Sequence, residues 1–193
     1  MIRPWFFTQI ATWALACNKT DVALACYAKI LALNPDDTVT RSRVAFLYSE
    51  AGDQARAIRE FERVVAGNKT DADSWFNLGY LRQATDDHGA AVVAFDQAIE
   101  ISPRHDRAWY GKGLSLVALN RVHDAIAALK MNAQLQPMSP HGHMELARAY
   151  FKLGDMNRCE KRMRKLCAFD PKNAARLEDE TGININIDHW WKA

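Results

Sequence analysis

Four of the six prolines in this chain fall on a fixed interval. Pro35, Pro103, Pro137 and Pro171 are separated by 68, 34 and 34 residues, and the one skipped beat lands on Lys69. A period of that size marks one structural unit that has been copied and stacked. Stacked copies bury apolar surface for one another and present extended surfaces rather than deep catalytic clefts. The interval therefore limits both the architecture and the kind of function to look for.

Counting back from each proline places repeat starts at Pro4, Thr38, Ala72, Asp106 and Pro140. Five repeats then occupy residues 4–173 (4–37, 38–71, 72–105, 106–139 and 140–173), with residues 174–193 left over. The third repeat is the clearest: Trp75, Leu78, Gly79, Ala91, Phe95 and finally Pro103. The fourth repeats it with Trp109, Gly113, Ala125, Leu129 and Pro137, the second with Val44, Ala45, Tyr48, Ala57 and Phe61. The first carries Phe7, Ile10, Ala11, Ala23, Tyr27 and Pro35, and the fifth Leu146, Ala147, Tyr150, Cys159, Met163 and Pro171. This pattern resembles the tetratricopeptide repeat, W-x2-L-G followed by A-x3-F and P. The resemblance implies an all-α chain: a right-handed superhelical solenoid of five helix pairs, closed by a C-terminal capping helix and an apolar tail.

Local chemistry agrees with that reading. Ala11, Ala45, Gly79, Gly113 and Ala147 are small where two helices must approach closely, and Ala57, Ala91 and Ala125 are small on the second helix. Gly52-Asp53 and Gly154-Asp155 supply turns with a glycine able to take the left-handed conformation that ends a helix. The residue before each proline avoids helical angles, so Asn34, Ser102, Gln136 and Asp170 mark helix ends. The departures are Arg82 for the usual tyrosine, Lys112 for an aliphatic residue, His143 for an aromatic, Lys69 for proline and Cys159 for alanine. Beyond Pro171, residues 174–181 read as a short capping helix stopped by Gly182. Ile183 to Asp188 then alternates with period two, as a strand would.

Charge is balanced at +2, which gives no global drive toward nucleic acid or anionic membrane. Cys17, Cys26, Cys159 and Cys167 form no C-x-x-C pair, so they read as thiols of a reducing, cytoplasmic protein rather than a zinc site. Residues 1–17 loosely imitate an export or lipoprotein signal, but Thr8, Gln9 and Thr12 interrupt the apolar run and the segment keeps the repeat register. No stretch is long and apolar enough to span a membrane.

The resemblance implies that the first helix of each repeat lines a concave groove. It assigns to that groove Phe46, Asp73, Phe76, Tyr80, Arg107, Tyr110, Leu114, Met144, Arg148 and Phe151. Such an aromatic surface suits an apolar peptide or amphipathic helix of a partner protein. This makes the expected function that of a non-catalytic scaffold or adaptor without cofactor or metal. The family's lysine–asparagine–arginine clamp for a chaperone tail needs Lys and Asn where Ser42 and Phe46 stand. Asn77 and Arg107 match it, but the full set is not there.

Two other readings stay open. The tail residues Ile183, Ile185, Ile187, Trp190 and Trp191 could build an oligomer, and the basic run 158–165 could contact phosphate or an acidic surface, although no nucleic-acid reader motif accompanies it. Catalysis finds no support. Gly111-Lys112-Gly113 lacks the spacing of a phosphate loop, and His141 and His143 are two residues apart on a helix and so do not share a face. The Asn18-Lys19-Thr20 and Asn68-Lys69-Thr70 sequons carry meaning only in a secreted protein.

Overall fold

The structure is a computed structural model and describes residues 4–187. Trp190 and Trp191 lie outside the described residues. Among those described, the chain forms helices α1 (Pro4–Ala16), α2 (Thr20–Leu33), α3 (Thr38–Glu50), α4 (Gln54–Gly67), α5 (Ala72–Ala84), α6 (His88–Ile101), α7 (Asp106–Ala118), α8 (Val122–Leu135), α9 (Pro140–Lys152), α10 (Met156–Cys167) and α11 (Pro171–Thr181). The odd-numbered helices from α1 to α9 begin 34 residues apart, and so do the even-numbered ones from α2 to α10.

The ends of these helices have local causes. Asp37, Asp71 and His105, each one residue before a first helix, accept the backbone N–H three residues on, at Thr40, Ser74 and Ala108. Asp53 and Asp155 do the same for Arg56 and Arg158 at the start of second helices. Each such cap satisfies a donor that the helix itself leaves unpaired. The turn inside each repeat reverses the chain through one left-handed residue: Asn18, Gly52, Asp86, Asn120 and Gly154, again spaced by 34. Asparagine and aspartate tolerate that conformation because their short side chains can hydrogen-bond locally.

The chain separates into two compact units, residues 1–87 and 88–193. The N-terminal unit holds α1 to α5. Its core is built from Ala11, Ala14, Ala23, Tyr27, Ile30, Val44 and Leu47, with Ala57, Phe61 and Val64 buried farther along.

The C-terminal unit holds α6 to α11, around Leu129, Leu146, Tyr150, Met163, Leu166 and Leu177. Its small residues are required by contact. A Cβ on Gly113 would stand 2.6 Å from the Leu129 side chain, and one on Gly111 2.5 Å from the Phe95 ring. Lys112, polar at an apolar position, turns to Asp96 at 2.5 Å and lies 5.5 Å from the Trp109 ring.

At the C-terminal end the sequence reading needs two corrections. The closing helix begins at Pro171 rather than residue 174, because Asp170 accepts the Asn173 N–H and proline is well placed in a first turn. It ends at Gly182, which is left-handed. Residues 182–187 then form no strand. The Ile185 N–H is taken by the Glu178 carboxylate at 2.5 Å, Arg164 donates to the Ile185 carbonyl, and Asn186 is left-handed. Period-two alternation here serves burial instead: Ile185 is in the core, and Ile183 and Ile187 pack against it partly buried.

Candidate functional site

In the N-terminal unit a groove of about 760 Å³ opens along the first helices. α1 contributes Thr8, Thr12 and Leu15, α3 contributes Ser42 and Phe46, and α5 contributes Asn77. Tyr27 and Phe61, from the second helices, are among its lining and are themselves almost fully buried. Arg43 and Glu50 add one charge of each sign. The hydroxyls of Thr8, Thr12 and Ser42 donate to the carbonyls of Pro4, Thr8 and Thr38, which leaves their lone pairs as acceptors. The groove thus combines acceptor oxygens, an amide and an aromatic ring: Phe46 is 56% exposed. Tyr80, the residue of α5 in register with Phe46, is 58% exposed. Phe76 is half-buried and Asp73 exposed on the same helix.

Thr8, Thr12 and Leu15 are absent from the groove set drawn from the sequence. The signal for them was present, since Thr8 and Thr12 lie one period before Ser42 and Phe46.

In the C-terminal unit the expected residues divide. Arg107 and Phe151 are exposed, and Leu114 is half-buried. Tyr110 is half-buried against the core, its ring edge-on to His141 at 6.2 Å; burial pushes its phenol up, and the nearby Glu145 carboxylate adds to this. Met144 is buried. It is 6% exposed and belongs to the core cluster that α9 shares with α11. Arg148 is engaged within the chain, donating to both Glu180 oxygens at 2.8 and 2.9 Å and to Glu145 at 2.5 Å. The same guanidinium holds the Glu180 carboxyl below the ordinary glutamate range. Arg148 therefore secures the closing helix, and Met144 is part of the core.

Three of the five basic residues in the run on α10 have partners within the chain. Arg158 pairs with Asp155 and lies over the Tyr150 ring, Arg164 pairs with Glu160, and Arg162 contacts His143 Nδ1 at 3.3 Å. His143 is fully buried while His141 is exposed, so the two do not converge. Among the described residues no cluster of three His, Cys, Asp or Glu could hold a metal ion. No described helix is long and apolar enough to cross a membrane. All four cysteines are free thiols.

These paired helices and their common register define a helical-repeat protein. Tetratricopeptide-repeat family models match residues 72–105 and 110–158. Those residues resemble tetratricopeptide repeats, a family whose members mediate protein–protein interactions. It is 32% identical over 112 residues to Protein STIP1 homolog of Dictyostelium discoideum, covering 58% of this chain and 20% of that protein. It is 24% identical over 122 residues to BBSome complex member bbs-4 of Caenorhabditis elegans, covering 63% and 26% respectively. The chain thus spans about a fifth to a quarter of the length of these curated relatives.

Among solved structures, a crystal structure of MamA superposes with a TM-score of 0.82 at 20% identity, covering 94% of this chain and 97% of that one. YrrB, described as a TPR protein with an unusual peptide-binding site, gives a TM-score of 0.79 at 16% identity, with 90% of each chain covered. At such identities the likeness is one of fold.

Proposed function

We propose that this chain is a non-catalytic interaction module whose first-helix face in the N-terminal unit holds an apolar or amphipathic segment of a partner protein. The observation that carries this reading is Phe46, an aromatic ring left more than half exposed in a groove whose other walls mix apolar side chains with hydroxyls, an amide and one charge of each sign. Large apolar side chains rimmed by polar groups are characteristic of interaction sites. The ring supplies an anchor, and the surrounding acceptors and Asn77 supply partners for a peptide's polar groups. YrrB, with a similar fold, carries a peptide-binding site of its own, which lends support by analogy.

In the N-terminal unit we assign Phe46, Tyr80, Phe76 and Asp73 to this face; in the C-terminal unit, taken by itself, the first-helix residues in the same register are Arg107, Tyr110, Leu114 and Phe151. A cytoplasmic setting is in keeping with the four free thiols and with an α1 whose Ala11 and Ala14 belong to the core. The burial of Ile185 supports the tail as a cap of its own chain rather than an oligomer contact. The internal pairing of Arg158, Arg162 and Arg164 weighs against a phosphate-binding role for α10.

The test is a paired pulldown. Phe46→Ala with Tyr80→Ala should abolish capture of partner proteins while thermal stability stays near that of the wild type, because both rings are exposed. Retained capture by a folded double variant would place the site elsewhere.

A further inference from the structure

The repeat register exposes an anomaly on α1. At the third position of the later repeats stand Thr40, Ser74, Ala108 and Gly142, all buried; at the tenth stand Leu47, Leu81, Ser115 and Ala149, also buried. Where the neighbour is defined, it belongs to the preceding repeat. A Cβ on Gly142 would meet Asn132 of α8, and Leu47 sits in the cluster formed with α1 and α2. In the first repeat the same two positions hold Phe6 and Trp13, which are 46% and 73% exposed; Trp5, nearby, is 68% exposed. At 100° per residue, Phe6 and Trp13 lie on the side of α1 away from Thr8 and Thr12, so this face is distinct from the groove.

Phe6, standing where the later repeats keep threonine, serine, alanine or glycine, is too large to receive another repeat at the usual spacing. Even the single carbon of a Cβ at the equivalent Gly142 would come within 2.2 Å of Asn132 Oδ1. The face is built for a different occupant. We propose that it is a second copy of this chain, with α1 packed against α1 across a two-fold axis so that Phe6 and Trp13 are buried in both copies.

Three observations favour a second copy. First, α1 contains no ionisable residue from Pro4 to Ala16. A two-fold axis sets each surface against itself, and an uncharged face does so without like-charge repulsion. Second, Phe6 and Trp13, rings of about 150–250 Å² each, offer roughly 180–300 Å² per copy at these exposures, and Trp5, at the edge of the exposed arc beside Thr12, adds roughly 100–170 Å². The flanking α1 residues bring this near the roughly 500–600 Å² per partner at the lower end of specific interfaces. Third, a lipid surface fits less well, because helices that lie in a membrane interface carry a charged polar face rich in Lys and Arg.

The experiment is analytical ultracentrifugation of the full chain across a concentration series. The wild type should show a concentration-dependent dimer, and Phe46→Ala, in the groove, should leave it unchanged. Trp13→Glu should raise the dimer dissociation constant roughly thirtyfold or more, as loss of an interface anchor does. Circular dichroism should show that its helices are retained; if that variant unfolds, Trp13→Gln serves in its place and should weaken the dimer in the same direction. A wild type that stays monomeric at the highest reachable concentration would overturn the proposal. So would a dimer that folded Trp13 variants leave intact, or a monomer that floats with phosphatidylglycerol-containing vesicles through Trp13.

Discussion

The indole Nε1–H of Trp109 donates to the carbonyl of Pro103 at 2.9 Å, tying the first helix of the fourth repeat to the turn before it. The same link recurs in the second, third and fifth repeats, through an arginine, a second indole and a histidine. Arg41 reaches the Pro35 carbonyl at 2.6 Å, Trp75 the Lys69 carbonyl at 3.2 Å, and His143 Nε2 the Pro137 carbonyl at 3.1 Å. Arginine and histidine here are therefore replacements that keep the donor while losing the indole. Trp109→Phe retains a ring but loses the donor. It should cost about 1 kcal/mol and lower the melting temperature by about 2–4 °C, read by thermal denaturation.

Gly113 tests the small-residue rule most severely, because its missing Cβ would sit 2.6 Å from Leu129. Gly113→Ala should destabilise by about 1–3 kcal/mol, against the usual gain from replacing a helical glycine. In a Leu129→Ala background, itself destabilised by about 2–5 kcal/mol, the added penalty of Gly113→Ala should shrink if the clash is its cause, which a double-mutant cycle in urea would measure.

Ser115 occupies a position that is leucine or alanine in three other repeats. Its hydroxyl is buried with no hydrogen-bond partner among the described residues. Ser115→Ala should stabilise the chain by about 1 kcal/mol, since it removes an unpaid desolvation cost. An upward shift in the urea midpoint with unchanged slope is the expected result.

His143 makes the C-terminal unit sensitive to acid. Burial lowers its pKa below the ordinary 6.5; the Pro137 carbonyl opposes this, while the charges of Arg162 and Lys165 add to it. Its Nε2–H donates to Pro137, Nδ1 faces the Arg162 guanidinium and its ring packs against Phe169, so the neutral imidazole fits the site. The unfolded chain takes up the proton more readily, so stability is complete above pH 6.5 and falls as pH drops below it. His143→Gln should flatten the loss of melting temperature between pH 7.5 and about pH 5.5. Glu180, held low by Arg148, acts in the same direction but in a separate window below its ordinary 4.5.

The helices and their caps were legible because the period carried them: Pro35, Pro103 and Pro137 lie just past helix ends, and Gly113 and Ala125 at close contacts. The left-handed turns at Asn18, Asp86 and Asn120 were missed because glycine alone was taken as the signal, although each lies one period from Gly52 or Gly154. The strand expected over residues 183–188 fails over the described part, 183–187, because alternation says which side chains are buried, not what pairs with the backbone. Here the Glu178 carboxylate and the Arg164 guanidinium do. The groove was half legible. Phe46 and Tyr80 are exposed as register requires, but Met144 is buried in the core and Arg148 is taken up by Glu180 of α11, whose docking no repeat pattern encodes.

The central claim is that Phe46 and Tyr80 anchor a partner protein on the first-helix face. It is tested most directly by quantitative capture from native lysate with wild type and the Phe46→Ala, Tyr80→Ala variant, both confirmed folded by thermal denaturation. The account predicts a discrete set of proteins retained by the wild type and lost, at least roughly tenfold, from the variant. An identical set on both would contradict it.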